Sequence, residues 1–230
     1  MIEKTLSIII PIYNEEKIAA GYLPKILTLP IKKEVIIVND GSTDNSLAII
    51  EVLKKTYNFK LINQPTNQGK GAAIKRGLVE TRGDYFIVCD ADNEYDPDDI
   101  VILFEQIIIR ENKKEVIYGS RFLLNKHWSF HFLINYFLTE LTNILFGSHL
   151  TDMETCFKLI PKEAISSIKL KGCRFEIEPE ITAQLLKNGY EISELPINYK
   201  RRSYQEGKKI KARDGLLAIL TIFREKFSNH

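Results

Sequence analysis

The chain has 230 residues, 44% hydrophobic and 27% charged, and a net charge of +2 from 32 Lys and Arg against 30 Asp and Glu. That length suits one well-buried α/β domain, and the near-balance of charge gives no global case for a nucleic-acid partner. The three cysteines, Cys89, Cys156 and Cys173, are odd in number and lack C-x-x-C spacing, so they read as thiols in a reducing compartment.

The N-terminus leads at once into a strand, with no charged n-region before a cleavable apolar stretch. Residues 6–10 are a β-prone run closed by Pro11, and Asn14, Glu15 and Glu16 then open a helix with acids at its positive end. Residues 35–38 lead through the loop 39–44 to a helix ending near Lys55, and 60–62 lead to a helix starting near Gly69. Residues 85–89 lead, past Pro97, to a helix through Arg110, and 116–118 form a further strand. Unbroken apolar strands alternating with helices predict a doubly wound, mostly parallel sheet covered on both faces.

Beyond Arg121 come an aromatic-rich stretch (128–146), a turn, a short strand, a helix at 178–187, a strand at 191–199, a basic segment and a last helix from about Ala212. Polar residues such as Asn135 and Glu140 interrupt the aromatic stretch, and the apolar run 216–223 falls far short of the ~20 residues that cross a bilayer. The expectation is a cytoplasmic, single-domain protein over 1–230, with 1–121 as a nucleotide-type half and 122–230 as the half that receives a second substrate. Trp128, Phe130, Phe132, Leu133, Tyr136, Phe137 and Leu141 fit either a core-facing helix or one lying in a lipid headgroup region.

The chemistry concentrates after the strands. Asp90-Ala91-Asp92, followed by Asn93 and Glu94, stands where the strand 85–89 runs out. In an open α/β sheet ligands bind beyond the carboxyl ends of the strands, and two hard oxygen donors one residue apart can share a divalent cation that also holds a diphosphate. Asp40, before the turn at Gly41, can accept from a base N–H or a ribose hydroxyl, and the loop 67–71 offers backbone amides and the Lys70 ammonium as a phosphate cradle. A dinucleotide fingerprint at Gly69-x-Gly71 is rejected because Ile74 occupies its third glycine position. No P-loop occurs, and His127 and His131 lack the intervening Glu and third ligand of a zinc site.

Taken with Pro11-Ile12-Tyr13-Asn14-Glu15 and the run 35–44, Asp90-Ala91-Asp92 resembles glycosyltransferase family 2, the inverting nucleotide-sugar transferases of the A-type fold. The segments Tyr118-Gly119-Ser120-Arg121-Phe122, 151–158, Phe175-Glu176-Ile177-Glu178-Pro179-Glu180 and Glu194-Leu195-Pro196-Ile197, with Arg202 and Lys208, resemble its polyprenyl-phosphate (dolichyl-phosphate) mannosyl- and glucosyltransferase branch. The resemblance implies that Pro11, Tyr13, Glu15, Val38 and Asp40 contact the nucleoside. It implies that Asp90, Ala91, Asp92 and Glu94 form the segment for Mg²⁺ or Mn²⁺ and the diphosphate, with Glu94 where relatives often carry Gln. It further implies that Arg121, Arg202 and Lys208 grip the acceptor phosphate. Gln205 and Gly207 depart from the branch's R-x-x-G-x-S-K pattern, though the Arg-to-Lys spacing is kept.

The implied activity is transfer of a hexose from a GDP- or UDP-sugar to a polyprenyl phosphate, with inversion and with peripheral contact to a membrane. A phosphomonoester with second pKa of ~6 is already anionic and needs neutralising and aligning, whereas an alcohol needs a general base. Asp152 or Glu154 stands where hydroxyl-accepting relatives keep that base, so Asp152 is assigned a positioning role. Transfer to a saccharide hydroxyl with Asp152 as base, and a non-catalytic nucleotide-sugar-binding scaffold, remain the alternatives.

Overall fold

The structure, a computed structural model, describes residues 4–110, 112, 114–123, 130–202 and 212–228. In chain order the elements are β1 (Leu6–Ile12), α1 (Glu16–Leu27), β2 (Lys33–Asp40), α2 (Ser46–Lys54), β3 (Lys60–Gln64), α3 (Lys70–Leu78), β4 (Tyr85–Val88), α4 (Asp98–Arg110), β5 (Glu115–Ser120), α5 (Phe130–Phe146), β6 (Lys158–Pro161), α6 (Lys162–Ser166), α7 (Ile177–Lys187), β7 (Glu191–Pro196) and α8 (Ala212–Phe227). The strands form a seven-stranded sheet in the order β3-β2-β1-β4-β6-β5-β7.

The period-two alternation of the strands builds a core on each face. In β1, Ile8 and Ile10 pack with Leu23 and Ile26 of α1, Ile50 of α2 and Leu103 and Phe104 of α4. Ile9, between them, joins Ala73 and Ile74 of α3 and Ile177 and Ile181 of α7 on the opposite face. A third cluster, Leu138, Leu150, Met153, Ala218 and Ile222, is shared by α5, α8 and the segment leading to β6.

Helices on both faces of a mostly parallel sheet match the expected class. β1 pairs in parallel with β2 and β4, β2 with β3, and β5 with β7. The exception is β6, antiparallel to both β4 and β5. Because β6 runs against its neighbours, its first residue lies at the edge where β4 and β5 end, and the segment 152–157 reaches the rim that collects the loops of the parallel strands.

Two strand ends differ from expectation. β1 continues through Pro11 to Ile12, which is tolerated because the pairing of β4 with β1 spans only Leu6 to Ile9, so the missing N–H of proline lies beyond it. β7 stops at Pro196, after which the chain crosses the rim: Asn198 N–H donates to Asp99 Oδ2 at 2.6 Å, Lys200 N–H to the Glu94 carbonyl at 2.7 Å, and Tyr199 forms an isolated bridge with Tyr95. Among the described residues no helix is long and apolar enough to cross a membrane.

Candidate active site

Three loops at the ends of β1, β2 and β3 are tied into one wall. Asn14, at φ 51°, accepts from Thr43 N–H at 2.8 Å, Glu15 N–H donates to Ser46 Oγ at 2.8 Å, and Asp44 Oδ2 accepts from Glu16 N–H at 3.1 Å. The cap of α1 therefore comes from the neighbouring loop. Asp40, expected to meet a nucleoside, is engaged within the protein: its oxygens accept from Gln64 Nε2, Gln68 N–H and Gly69 N–H, each at 2.8 Å. Burial raises the Asp40 carboxyl while the two backbone donors hold it down. Gly41 (φ 65°) and Gly69 (φ 98°) are required here, since a Cβ would lie 2.4 Å from Thr66 C and from the Cys173 carbonyl respectively. Val38, the other nucleoside expectation in this strand, is instead fully buried in the core beneath α3.

Pro11, Tyr13, Glu15, Asp40, Lys70 and the run 90–97 line a cavity of about 1470 Å³. Lys70, the first residue of α3, places Nζ 2.8 Å from Asp90 Oδ2 and 3.0 Å from Glu178 Oε1. Burial works against its charge, but Asp90 and Glu178 outweigh it and keep the ammonium well above its ordinary range. Glu178 also meets Lys158 Nζ at 2.6 Å, so a chain Asp90–Lys70–Glu178–Lys158 runs from the cavity lining into the buried interior.

Asp92 is pushed up to about 7, first by burial and then by the charges of Asp90 and Glu94, with Arg202 opposing. Arg202 bridges the acidic loops: Nη1 is 3.0 Å from Glu15 Oε2 and Nη2 is 3.3 Å from Asp92 Oδ2. Glu94, expected beside the metal, is turned elsewhere, accepting from Tyr199 Oη at 2.6 Å and from Arg202 N–H at 2.9 Å. Among the described residues no group of three His, Cys, Asp or Glu stands in a metal-holding arrangement. Asp90 and Asp92 still fit a divalent cation as two hard oxygen donors, because a cation there would offset the burial of the Asp92 charge and its repulsion by Asp90 and Glu94. The remaining positions would fall to diphosphate oxygens and water.

On the other side, Arg121 grips Asp152 through Nε and Nη2, both at 2.7 Å, and through its own N–H at 3.0 Å. Asp152 is fully buried, and the Arg121 guanidinium is flanked by the rings of Phe122 and Tyr199, each centred 5.3 Å away. Glu154, two residues on, lines the cavity with its carboxyl pushed up to about 7 by burial. The cavity then continues past Phe132, Leu138, Gly215 and Ala218 into a groove between α5 and α8.

Lys208, with Trp128, His127 and most of the basic segment, lies outside the described residues. The aromatic stretch divides between its two readings: Phe132 is buried and packs edge-on to Phe122, while Leu133, Tyr136 and Phe137 are half-exposed. Sequence reasoning gave no role to Lys158, Glu178 or Tyr199. Lys158 alone carried a signal, a lysine inside the apolar run Cys156-Phe157-Lys158-Leu159-Ile160, which demands a partner once buried.

This arrangement, a carboxylate pair after a central strand opposite an anchored arginine, belongs to a known class. Residues 7–168 match the sequence model of Glycosyl transferase family 2, and the chain belongs to that family. Its fold is the A-type glycosyltransferase fold, as in a glucosyl-3-phosphoglycerate synthase from Mycobacterium tuberculosis solved with Mn²⁺, uridine diphosphate and phosphoglyceric acid (TM-score 0.76, 16% identity, covering 99% of this chain and 80% of that one). Within the family it resembles the polyprenyl-phosphate branch. It is 33% identical to a dolichyl-phosphate beta-glucosyltransferase of Trichomonas vaginalis over 94% of this chain and 71% of the relative. A UDP-N-acetylglucosamine–dolichyl-phosphate N-acetylglucosaminyltransferase of Methanococcus voltae is 30% identical over 91% and 92%. A dolichol-phosphate mannosyltransferase of Pyrococcus furiosus is 28% identical over 88% of this chain and 58% of its own length.

Proposed function

We propose that this chain is an inverting hexosyltransferase that moves a sugar from a UDP- or GDP-sugar to a polyprenyl phosphate, with 1–121 holding the donor and 122–230 the acceptor. The observation that carries the reading is the lining of the cavity, which joins carboxylates and Lys70, the guanidinium of Arg121, and the apolar side chains of Phe132, Ile134, Leu138 and Ala218 from α5 and α8. A substrate spanning it is anionic at its head and apolar along its tail. The engagement of Asp152 supports the same acceptor, because a carboxylate already held by three donors of Arg121 is poorly placed to take a proton, and a phosphate has none to give up.

In this reading Lys70 and the N-terminus of α3 face the donor diphosphate, and Asp90 and Asp92 hold Mg²⁺ or Mn²⁺. When bound, the cation offsets charge on the departing nucleoside diphosphate. Arg121, held in orientation by Asp152, aligns the acceptor phosphate for attack on the face of the anomeric carbon opposite the leaving group. Arg202, on the strand-to-helix crossing, and Lys208 complete that grip.

The exposed side chains of α5 (Leu133, Tyr136, Phe137, Ile144) and α8 (Leu216, Leu220, Phe223, Phe227) lie on two helices that pack together. They fit reversible docking on the cytoplasmic face of a membrane, where the lipid acceptor resides.

A second reading, transfer to a saccharide hydroxyl, is favoured by Glu154, whose carboxyl near 7 lies in the cavity and suits a general base. The deciding experiment incubates the chain and Mn²⁺ with labelled UDP- and GDP-sugars and either polyprenyl phosphate, polyprenol or oligosaccharides, then extracts with organic solvent. Label in the organic phase only with the phosphate is expected. Label that enters oligosaccharides alone overturns the reading.

A further inference from the structure

Glu154 sits in the segment that enters β6 from the site rim, and its Oε1 is buried without a hydrogen-bond partner among the described residues, although the side chain lines the cavity. An acceptor buried and unsatisfied is costly to keep. Its charged neighbours are committed elsewhere. Arg121 is held by Asp152 at 2.7 Å, and Lys158 by Glu178 at 2.6 Å and by the Thr155 carbonyl. Turning either cation toward Glu154 would strip a partner from another buried carboxylate.

The surroundings fix what chemistry Glu154 can meet. Cys156, two residues further, also lines the cavity, together with Asp90, Lys70 and Glu178, so the 154–156 edge shares one cavity with the groups that would hold a diphosphate. A sugar carried on a diphosphate held by Asp90 and Lys70 enters the same cavity that Glu154 lines. A carboxylate repels phosphate, and no group of three ligating side chains gathers there for a metal among the described residues. A sugar presents hydroxyl donors, which are what an unpartnered carboxylate oxygen accepts.

We propose that Glu154 binds a hydroxyl of the transferred sugar and is a specificity-determining residue for the donor. The inference rests on the glycosyl-donor reading above. A hydrogen bond between a hydroxyl and a buried charged group is worth roughly 10- to 100-fold in affinity, and a donor sugar lacking that hydroxyl leaves Glu154 unsatisfied and is rejected.

The test is calorimetry on the full chain with Mn²⁺, using UDP, GDP, UDP-glucose, UDP-N-acetylglucosamine and GDP-mannose against the parent, Glu154→Ala and Glu154→Gln. UDP and GDP affinities are expected to stay within about twofold. The preferred nucleotide sugar is expected to lose about 10- to 100-fold in Glu154→Ala and less in Glu154→Gln, whose amide oxygen still accepts. If the parent binds nucleotide sugars and the sugar-to-diphosphate affinity ratio is the same in both variants, the role of Glu154 is overturned while the family activity stands. Turnover abolished with every donor affinity intact overturns it too, in favour of a proton acceptor. A parent that binds none of the five nucleotides removes the donor reading and this inference together.

Discussion

Glu154→Gln should make the folded chain more stable at alkaline pH than at acid pH, relative to the parent. In the parent, burial pushes the Glu154 carboxyl up from 4.5 to about 7, with Lys158 pulling it down and Glu178 pushing it up. A carboxyl whose native pKa exceeds its unfolded value holds its proton more tightly when folded. Its cost to stability is therefore absent below the unfolded value, grows between 4.5 and about 7, and is complete above that. At 1.36 kcal/mol per pKa unit the full cost is about 3 kcal/mol, which for a chain of this size corresponds to roughly 6–12 °C in Tm. Glutamine keeps the volume and removes the titration, so any constant cost of burying its amide cancels when two pH values are compared. Asp92, also pushed up to about 7, titrates in both proteins and cancels likewise. Urea denaturation of parent and variant at about pH 4.5 and about pH 8 gives four stabilities, and the variant-minus-parent difference should rise by up to about 3 kcal/mol between them. A difference that does not change with pH would refute the burial of an ionisable Glu154 and remove one support for its place in the donor site.

Arg121→Ala leaves Asp152 fully buried and unpaired, so it should cost about 3–5 kcal/mol in denaturant unfolding as well as acceptor use, and a loss below about 1 kcal/mol would mean the pair is not formed. Asp92→Ala should abolish the Mn²⁺-dependent part of UDP or GDP binding in calorimetry, and equal parent affinities with Mn²⁺ and with EDTA would sink the metal assignment. Phe137→Glu, at a side chain 55% exposed on α5, should leave unfolding unchanged yet weaken co-sedimentation with anionic vesicles about tenfold or more. Co-sedimentation of the parent that is indifferent to lipid charge and to salt would count against membrane docking.

The parallel strands were legible because both of their faces are buried, so β1 and β2 read as unbroken apolar runs rather than alternating ones. Asp90 and Asp92 were legible because they follow such a run. The direction of β6 was not: the four residues Lys158–Pro161 carry no signal of orientation, which is decided by pairing with β4 and β5. Partners across long sequence separations were equally hidden. Asp40 was singled out for its residue type, but nothing local shows that Gln64, Gln68 and Gly69 occupy it. Glu178 lies inside a segment quoted for its resemblance, yet its bonds to Lys70 and Lys158 exist only once α7 packs across the sheet. Tyr199 looked like the end of a strand because the crossing that presents it to Glu94 begins at Pro196, with no change in local composition.

The reversed run of β6 gives the two edges of the sheet unequal tolerance to engineering. Gly147 and Gly189 both sit in left-handed turns with open space where a side chain would go, so by local criteria either is a fair place to splice in a reporter peptide or a new pair of termini. At Gly189 the chain is about to enter β7 from the edge remote from the cavity, and added length there hangs in solvent. At Gly147 it is five residues from Asp152, and the only described strand that enters the sheet from the cavity edge lies just beyond. The same insert should be silent at one turn and disabling at the other, which makes position relative to β6, rather than loop flexibility, the guide to where this scaffold accepts new sequence.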